Sequence, residues 1–490
     1  MNNSSKNMVT KQADDPLDHS FYIDIILANL ADKVARYGLY VERIKKQALE
    51  ERINPPILGT YDLHYKTLCE RVGHLYEQRF LNEELLEDNS VVFDLLGSSA
   101  EIWYKFMRYN KGLTYAPTPW ARPELFAIAE EFQKRNVNNP DLQNLTIVLT
   151  NEYRYSWLID PPVDTDVGIV DDIRIVKLPK IEKDDPLLWV LLSHEIGHDI
   201  DHHLKISAVA ERKQAIVEMK SKMDKPHILN DWIGEIFSDL YGLSVLGPSY
   251  YAAFLSHILA LIPMDSPLRL RWNKYRSCQP PMAIRTRCME LALESADASG
   301  WKIDKLKYFV KTHEIIGRES RNYEDEVEFR KVMGFLTNTN KYKEESIDGI
   351  CRSLFNAIRS SAEECEISLS FEGNEDNIMH NVNRLLISQP ACTLAQDDES
   401  ENLSEKPCDV ATIVDAAWFC KAGYHPKEYT DFFRKCDDLS KDWDKPFEKI
   451  AEHLHNFDRL VLASLGIASV HTFYAEGMKK LEAEKGLKRN

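Results

Sequence analysis

Apolar residues recurring at steps of three and four constrain this chain more than any other feature, because they commit most of it to helices with one buried face. "FYIDIILANLADKVARYGLYVERIKKQALEERI" and "YDLHYKTLCERVGHLYEQRFLNEELL" carry the pattern between about Asp18 and Gly112. "TPWARPELFAIAEEFQKRN" continues it behind the turn-forming Pro119 and Pro123. The bias resumes beyond Leu187, runs to about Leu386, and returns near the end in "FEKIAEHLHNFDRLVLASLGIASVHTFYAEGMKKLEAEK". No internal repeat interrupts it.

The habit breaks at Asn144. "LTIVLTNEYRYSW" and "IVDDIRIVKLP", separated by the turn "DPPVDTDVG", are rich in β-branched and aromatic residues and predict two paired strands. Asp185-Pro186 then reads as a helix N-cap followed by proline at the first helical position. The expected fold is α+β but mostly α-helical: a small catalytic domain with a short β-sheet and two motif-bearing helices, flanked by helical regions. The expected organisation is a disordered stretch over 1–17, a helical region over 18–140, the catalytic domain over 141–300, and a helical region over 301–390. An acidic linker over 391–408, containing "AQDDESENLSEKP", and a helical region over 409–490 complete it.

The chain has 490 residues, enough for two to four domains at about 100–200 residues each. Its net charge of −17 argues against broad binding to nucleic acid or anionic membrane, since phosphate contacts need a basic surface. The basic "RLRWNKYR" reads as a solvated face. The nine cysteines are odd in number, dispersed and free of C-x-x-C pairs, which predicts reduced thiols and not a disulfide framework or a cysteine zinc finger. The polar "MNNSSKNMVTKQADDPLD" carries no apolar signal region, and the longest apolar run, "YYAAFLSHILALIP", is too short to span a bilayer. The expected location is the cytoplasm, without membrane spans. No phosphate-binding glycine motif is present.

Within "LLWVLLSHEIGHDIDHH", His194 and His198 lie four residues apart, on one face of a helix. Their imidazoles can share one ion, and Glu195 sits beside the first of them. Two neutral imidazoles suit zinc, and a carboxylate next to the ion can take a proton from the zinc-activated water. Ile196 and Gly197, apolar and small, let the helix pack closely beneath the ion. Two outcomes are open for the third ligand. In the extended pattern H-E-x-x-H-x-x-G-x-x-H, Asp201 stands where glycine is needed and Leu204 where the third histidine is needed, so that pattern fails. His202 and "DIDHH" read as a helix end facing water. In "NDWIGEIFSDLYGLSVLG", capped by Asn230 or Asp231, Glu235 and Asp239 share a face, and Gly234 and Ser238 precede them. Glu235 is therefore the expected third ligand to one Zn2+ per chain. Asp239 is the expected carboxylate that orients a ligand histidine through its other ring nitrogen.

"HEIGH" followed by "EIFSD" resembles the gluzincin metallopeptidases, zinc enzymes with H-E-x-x-H on one helix and E-x-x-x-D on the next. The stretch "CQPPMAIRTRCMEL" is similar to the H-P-P-x-x-x-R segment of the family containing the heat-shock membrane protease and the CAAX-processing protease. Pro280, Pro281 and Arg285 match, and Gln279 replaces the histidine. The likeness covers about Leu145 to Leu293 and leaves out the membrane spans of those two proteases. It implies an endopeptidase in which His194, His198 and Glu235 hold zinc and Glu195 is general base and proton donor to the leaving amine. It further implies that Gln279 or Arg285 binds the carbonyl oxygen or supports Asp239, and that "IVDDIRIVKLP" is a sheet edge on which an extended peptide lies. Tyr241, Tyr250, Tyr251, His257 and Arg285 are candidate donors to the oxyanion. The expected partner is a protein or peptide substrate. The rival readings are a zinc hydrolase of small amides and a zinc-stabilised sensing or partner-binding module, with a regulated stress or defence protease between them.

Overall fold

The computed structural model describes residues 19–51, 55–81, 125, 128–129, 132, 145–150, 156–160, 163–165, 168–170, 173–179, 185–221, 226–261, 280, 282–298, 347–371, 373, 375–394, 408–436 and 444–487. The two leading helices are α1 (His19–Glu51) and α2 (Pro55–Leu81), which pack on each other. Leu125, Ile128, Ala129 and Phe132 are helical and buried, as the spacing of "LFAIAEEF" requires. After the strands come α3 (Leu192–Leu204), α4 (Ile206–Ala210), α5 (Gln214–Lys220), α6 (Ile228–Leu246), α7 (Pro248–Leu261) and α8 (Met282–Ala298). The series closes with α9 (Ile347–Glu364), α10 (Glu375–Leu386), α11 (Val410–Gly423), α12 (His425–Arg434) and α13 (Asp444–Leu487). The N-terminal stretch 1–17, the whole of 301–346, the basic run 269–276 and the linker residues 395–407 lie outside the described residues. The ends of that linker are tied down, for Cys408 N donates to Cys392 O at 3.1 Å and Ala391 N to Ser464 Oγ at 2.8 Å.

The expected α+β class is overturned. The described residues are overwhelmingly helical, and strands are confined to Leu145–Pro179: β1 (Leu145–Thr150), β2 (Ser156–Asp160), β3 (Val163–Thr165), β4 (Gly168–Val170) and β5 (Ile173–Pro179). Among described side chains the strands give only Val176 and Leu178 to the buried core, whereas helical residues from Ile25 to Ala468 supply nearly all the rest. The β-branched stretch is real but too short to set the architecture. Its topology also departs from expectation. β5 pairs parallel with β1 on one side and antiparallel with β2 on the other, so it is the central strand of order β1-β5-β2 and not an edge open to a peptide.

The local signals before the motif helix are half fulfilled. Asp185 Oδ1 does accept from Leu187 N, at 3.2 Å. A turn and the 3-10 segment Trp189–Leu191 intervene, however, and α3 starts only at Leu192 with no side-chain cap. Likewise α6 starts at Ile228, so Asn230 and Asp231 lie in its first turn and are not its cap. These helix starts are held by burial: Trp189, Leu192, Trp232 and Ile233 are each at most 1% exposed. Each such side chain contributes roughly 1.5–3 kcal/mol on removal from water, more than a cap supplies.

Asp185 belongs to a buried charge cluster. Arg36 Nε on α1 lies 3.0 Å from Asp185 Oδ2, and its two terminal nitrogens lie 2.6 and 3.0 Å from the Asp458 carboxylate on α13. One turn earlier on α1, Asp32 takes Lys421 Nζ of α11 at 2.6 Å and the Tyr429 hydroxyl of α12 at 2.5 Å. His425 Nδ1 lies 3.3 Å from that hydroxyl. Burial, reinforced by His453, pushes His425 down to about 3, so it is neutral. Among the described residues eight cysteines are present, all free, and no helix is long and apolar enough to cross a membrane.

Candidate metal centre

The i and i+4 spacing of His194 and His198 turns both imidazoles to the face of α3 that packs against α6. Gly197 makes that packing possible. A Cβ on it would lie 2.8 Å from the Cα of Ser238, closer than any side chain tolerates. The bare backbone surface of Gly197 therefore sets the separation of the two helices, and this brings Glu235 of α6 opposite the histidines. His194 Nε2 and His198 Nε2 are 3.1 Å apart, and Glu235 Oε2 and Oε1 lie 3.5 and 3.6 Å from them respectively.

These three spacings test a metal directly. Ligand atoms at ~2.0–2.1 Å from a tetrahedral ion are ~3.3–3.4 Å from one another; the two Nε2 atoms are close to that, Glu235 turns one oxygen toward each of them, and one ligand atom from each residue lies within 4.8 Å of the others. One nitrogen from each of two imidazoles and one carboxylate oxygen form a donor set suited to zinc. Glu235 Oε2 is buried and makes no hydrogen bond, leaving a lone pair unspent on the protein. Among the described residues His194, His198 and Glu235 form the one such convergence of metal-ligating groups. The residues fit a zinc ion.

Behind them stands a layer of fixed polar groups. Asp239 Oδ1 lies 2.9 Å from His194 Nδ1, the place expected for it. An Asp239 oxygen accepting from Nδ1–H leaves the Nε2 lone pair of His194 facing His198 and Glu235. Arg285 clamps Asp239 with two bonds, Nε to Oδ2 at 2.6 Å and Nη2 to Oδ1 at 2.7 Å. Its third nitrogen is 3.4 Å from Glu235 Oε2, and its guanidinium lies over the Phe254 ring at 4.8 Å. Of the two roles open to Arg285, support of Asp239 is the one its geometry matches; it is 5% exposed and committed to carboxylates.

Electrostatics follow from this crowding. Burial opposes a charge on His194, but Asp239 and Glu235 outweigh it and raise His194 to about 10 in the metal-free site. Burial and the adjacent His194 charge together push His198 down to about 4. Burial also opposes ionised Glu235, yet the close approach of His194 and the charge of Arg285 bring it to about 2. Asp239 is held below the usual carboxylate range despite complete burial, chiefly by Arg285.

Glu195, the expected base, is buried beside His194 at 7% exposure and is not one of the three converging groups. His202 is exposed on the last turn of α3, as expected, and Asp201 is spent on Ser207 N and Oγ at 2.6 and 2.5 Å. Two of the tyrosine candidates are removed from the site. Tyr241 donates to Phe132 O at 2.6 Å and Tyr251 to Glu290 Oε1 at 2.8 Å, so both hydroxyls serve the core. Tyr250 is brought in, but onto Asp239. Gln279, Pro281 and the side chain of His257 lie outside the described residues. Sequence reading missed the reach of Arg285 to Glu235 and the whole Asp32–Arg36–Asp458 cluster; neither carries a local spacing signal. No family model, curated protein or solved structure matches the chain, so the reading of this centre stands on its own geometry.

Proposed function

We propose that the chain is a zinc-dependent endopeptidase of gluzincin type, acting on a protein or peptide in the cytoplasm. The observation that carries the reading is the convergence of His194 Nε2, His198 Nε2 and Glu235 at 3.1–3.6 Å with Asp239 bonded behind His194. Zinc held there supplies a Lewis acid that polarises a carbonyl and brings deprotonation of water near neutral pH. Glu195 takes the proton from the attacking water and returns it to the leaving amine. Asp239 and Arg285 keep His194 in one tautomer and orientation throughout, at no cost of rearrangement. Burial of Glu195 beside His194 supports its assignment, because a purely structural metal site has no need of an acid–base carboxylate. The eight cysteines among the described residues, all free, accord with a reducing compartment.

The test compares new protein N-termini in cells expressing the wild type or Glu195→Gln, alongside the zinc content of both proteins. The expectation is one zinc per chain in each and at least ~100-fold loss of cleavage in the variant, the scale of general-base catalysis. Cleavage at the wild-type rate would refute the role of Glu195. A wild type that yields no new termini but hydrolyses small amides would replace the peptidase reading with that of a small-amide hydrolase.

A further inference from the structure

The tyrosine in "GPSYYAAF" that faces the site is not placed where an oxyanion donor belongs. Tyr250 is fully buried, and its hydroxyl donates to Asp239 Oδ1 at 2.8 Å while lying 3.3 Å from His194 Nδ1. Nδ1 is the nitrogen turned away from His198 and Glu235, so the hydroxyl stands behind the ligand ring. We infer that Tyr250 is a positioning residue for the metal ligand His194, and that Gly242 is kept bare to seat it.

Asp239 is ringed by donors. An ionised carboxylate has about four acceptor positions. Asp239 Oδ2 takes Arg285 Nε, and Oδ1 faces three groups: Arg285 Nη2, His194 Nδ1 and the Tyr250 hydroxyl. With Tyr250 donating, Oδ1 is enclosed by three donors on different sides, and Arg285 fixes the orientation of the carboxylate through both oxygens. The imidazole is then confined to the arrangement in which Nδ1 carries the proton and Nε2 is free. Without the hydroxyl, one of the three groups around Oδ1 is gone, together with the atom standing 3.3 Å from His194 Nδ1, and the ring can tilt into the space. Tyr250 has no such freedom, because its ring is wedged. A Cβ on Gly242, one turn beyond Asp239 on α6, would meet Tyr250 Cε2 at 2.6 Å and Ser193 Oγ at 2.9 Å. The neighbouring Tyr251 provides a control within the same helix, since its hydroxyl goes to Glu290, away from the ligands.

This inference rests on the metal reading of the site but not on the peptidase reading, and its test needs no substrate. Zinc affinity of the full-length protein is measured by chelator competition, and the cobalt(II)-loaded protein is examined by visible absorption. Tyr250→Phe keeps the ring and removes only the hydroxyl; Gly242→Ala keeps the hydroxyl and displaces the ring. Both are expected to weaken zinc by about tenfold, the lower end of losses on removing an outer partner of a ligand histidine. Both should also shift the cobalt bands, while Tyr251→Phe matches the wild type in each. Circular dichroism shows whether Gly242→Ala folds; the Phe variant carries the test if it does not. Wild-type zinc affinity and an unchanged cobalt spectrum in Tyr250→Phe would overturn the inference and leave the metal reading intact. A wild type that takes up no zinc would overturn both.

Discussion

Two clusters of buried charge lie within this helical fold, and they are built on opposite plans. Around Arg36, cations and carboxylates alternate: Arg36 sits between Asp185 and Asp458, and Lys421 covers Asp32. Each charge is answered by its neighbour, and the cluster ties α1 to α11, α13 and the turn before α3. Around His194, the cation lies to one side. Arg285 binds Asp239 and approaches Glu235, while two imidazole nitrogens and a Glu235 oxygen converge within 4.8 Å of one another. Buried charge alone therefore says little about function. Convergence of acceptors upon one point is what distinguishes a centre from a clamp.

The comparison can be broken most directly at Arg36. Removing one partner of a buried ion pair leaves the others uncompensated and costs about 3–5 kcal/mol. Arg36→Ala should lose that much stability in denaturant unfolding and keep its zinc affinity when measured on the folded protein. If affinity falls in step with stability, clamp and centre are one unit. Glu235→Ala should act on the metal. Zinc binding weakens on the order of a hundredfold, about 2.7 kcal/mol. Zinc remaining at one per chain under a competing chelator would mean that Glu235 is not a ligand.

The smallest effect separates the clusters by pH. Burial raises Asp458 to about 6 from 3.8, with Arg36 opposing and Asp185 and Asp32 adding to the rise. The folded chain thus holds this proton more tightly than the unfolded chain. Its contribution is complete below about pH 4 and is lost as the pH climbs through 6. Glu235, lowered to about 2 from 4.5, behaves oppositely: its contribution is present above about 4.5 and disappears as the pH falls toward 2. Unfolding midpoints of the metal-free protein from pH 3 to 7 should show both slopes, and Asp458→Asn should flatten only the upper one. An unaltered upper slope would assign that proton to another group.

What could be read from the sequence was what lies within a turn or two of helix. His194, His198, Glu235 and Asp239 were legible because spacing by four places residues on one face whatever surrounds them. A close approach of α6 could be read from Gly234 and Ser238, though not that Gly197 is the bare surface Ser238 meets. Arg285 was visible only as a candidate with two roles, since its guanidinium reaches Asp239 from 46 residues away. The clamp was invisible: Arg36 and Asp458 are 422 positions apart, and no periodicity joins them. The fold class failed for a related reason. "IRIVKLP" reads correctly as a strand, but whether it is central or at an edge, and how much of the core it supplies, is decided by distant helices.

The clamp also sets a schedule for a nascent chain. Ligands, Asp239 and Arg285 are all in hand once residue 285 has been made, whereas Arg36 and Asp185 must wait for Asp458. At about 5–20 residues per second, the intervening ~170 residues take roughly 10–35 seconds of synthesis. For that interval the turn leading into the HEIGH helix is missing one of its anchors. The residues that bind metal are thus all synthesised well before the clamp can close.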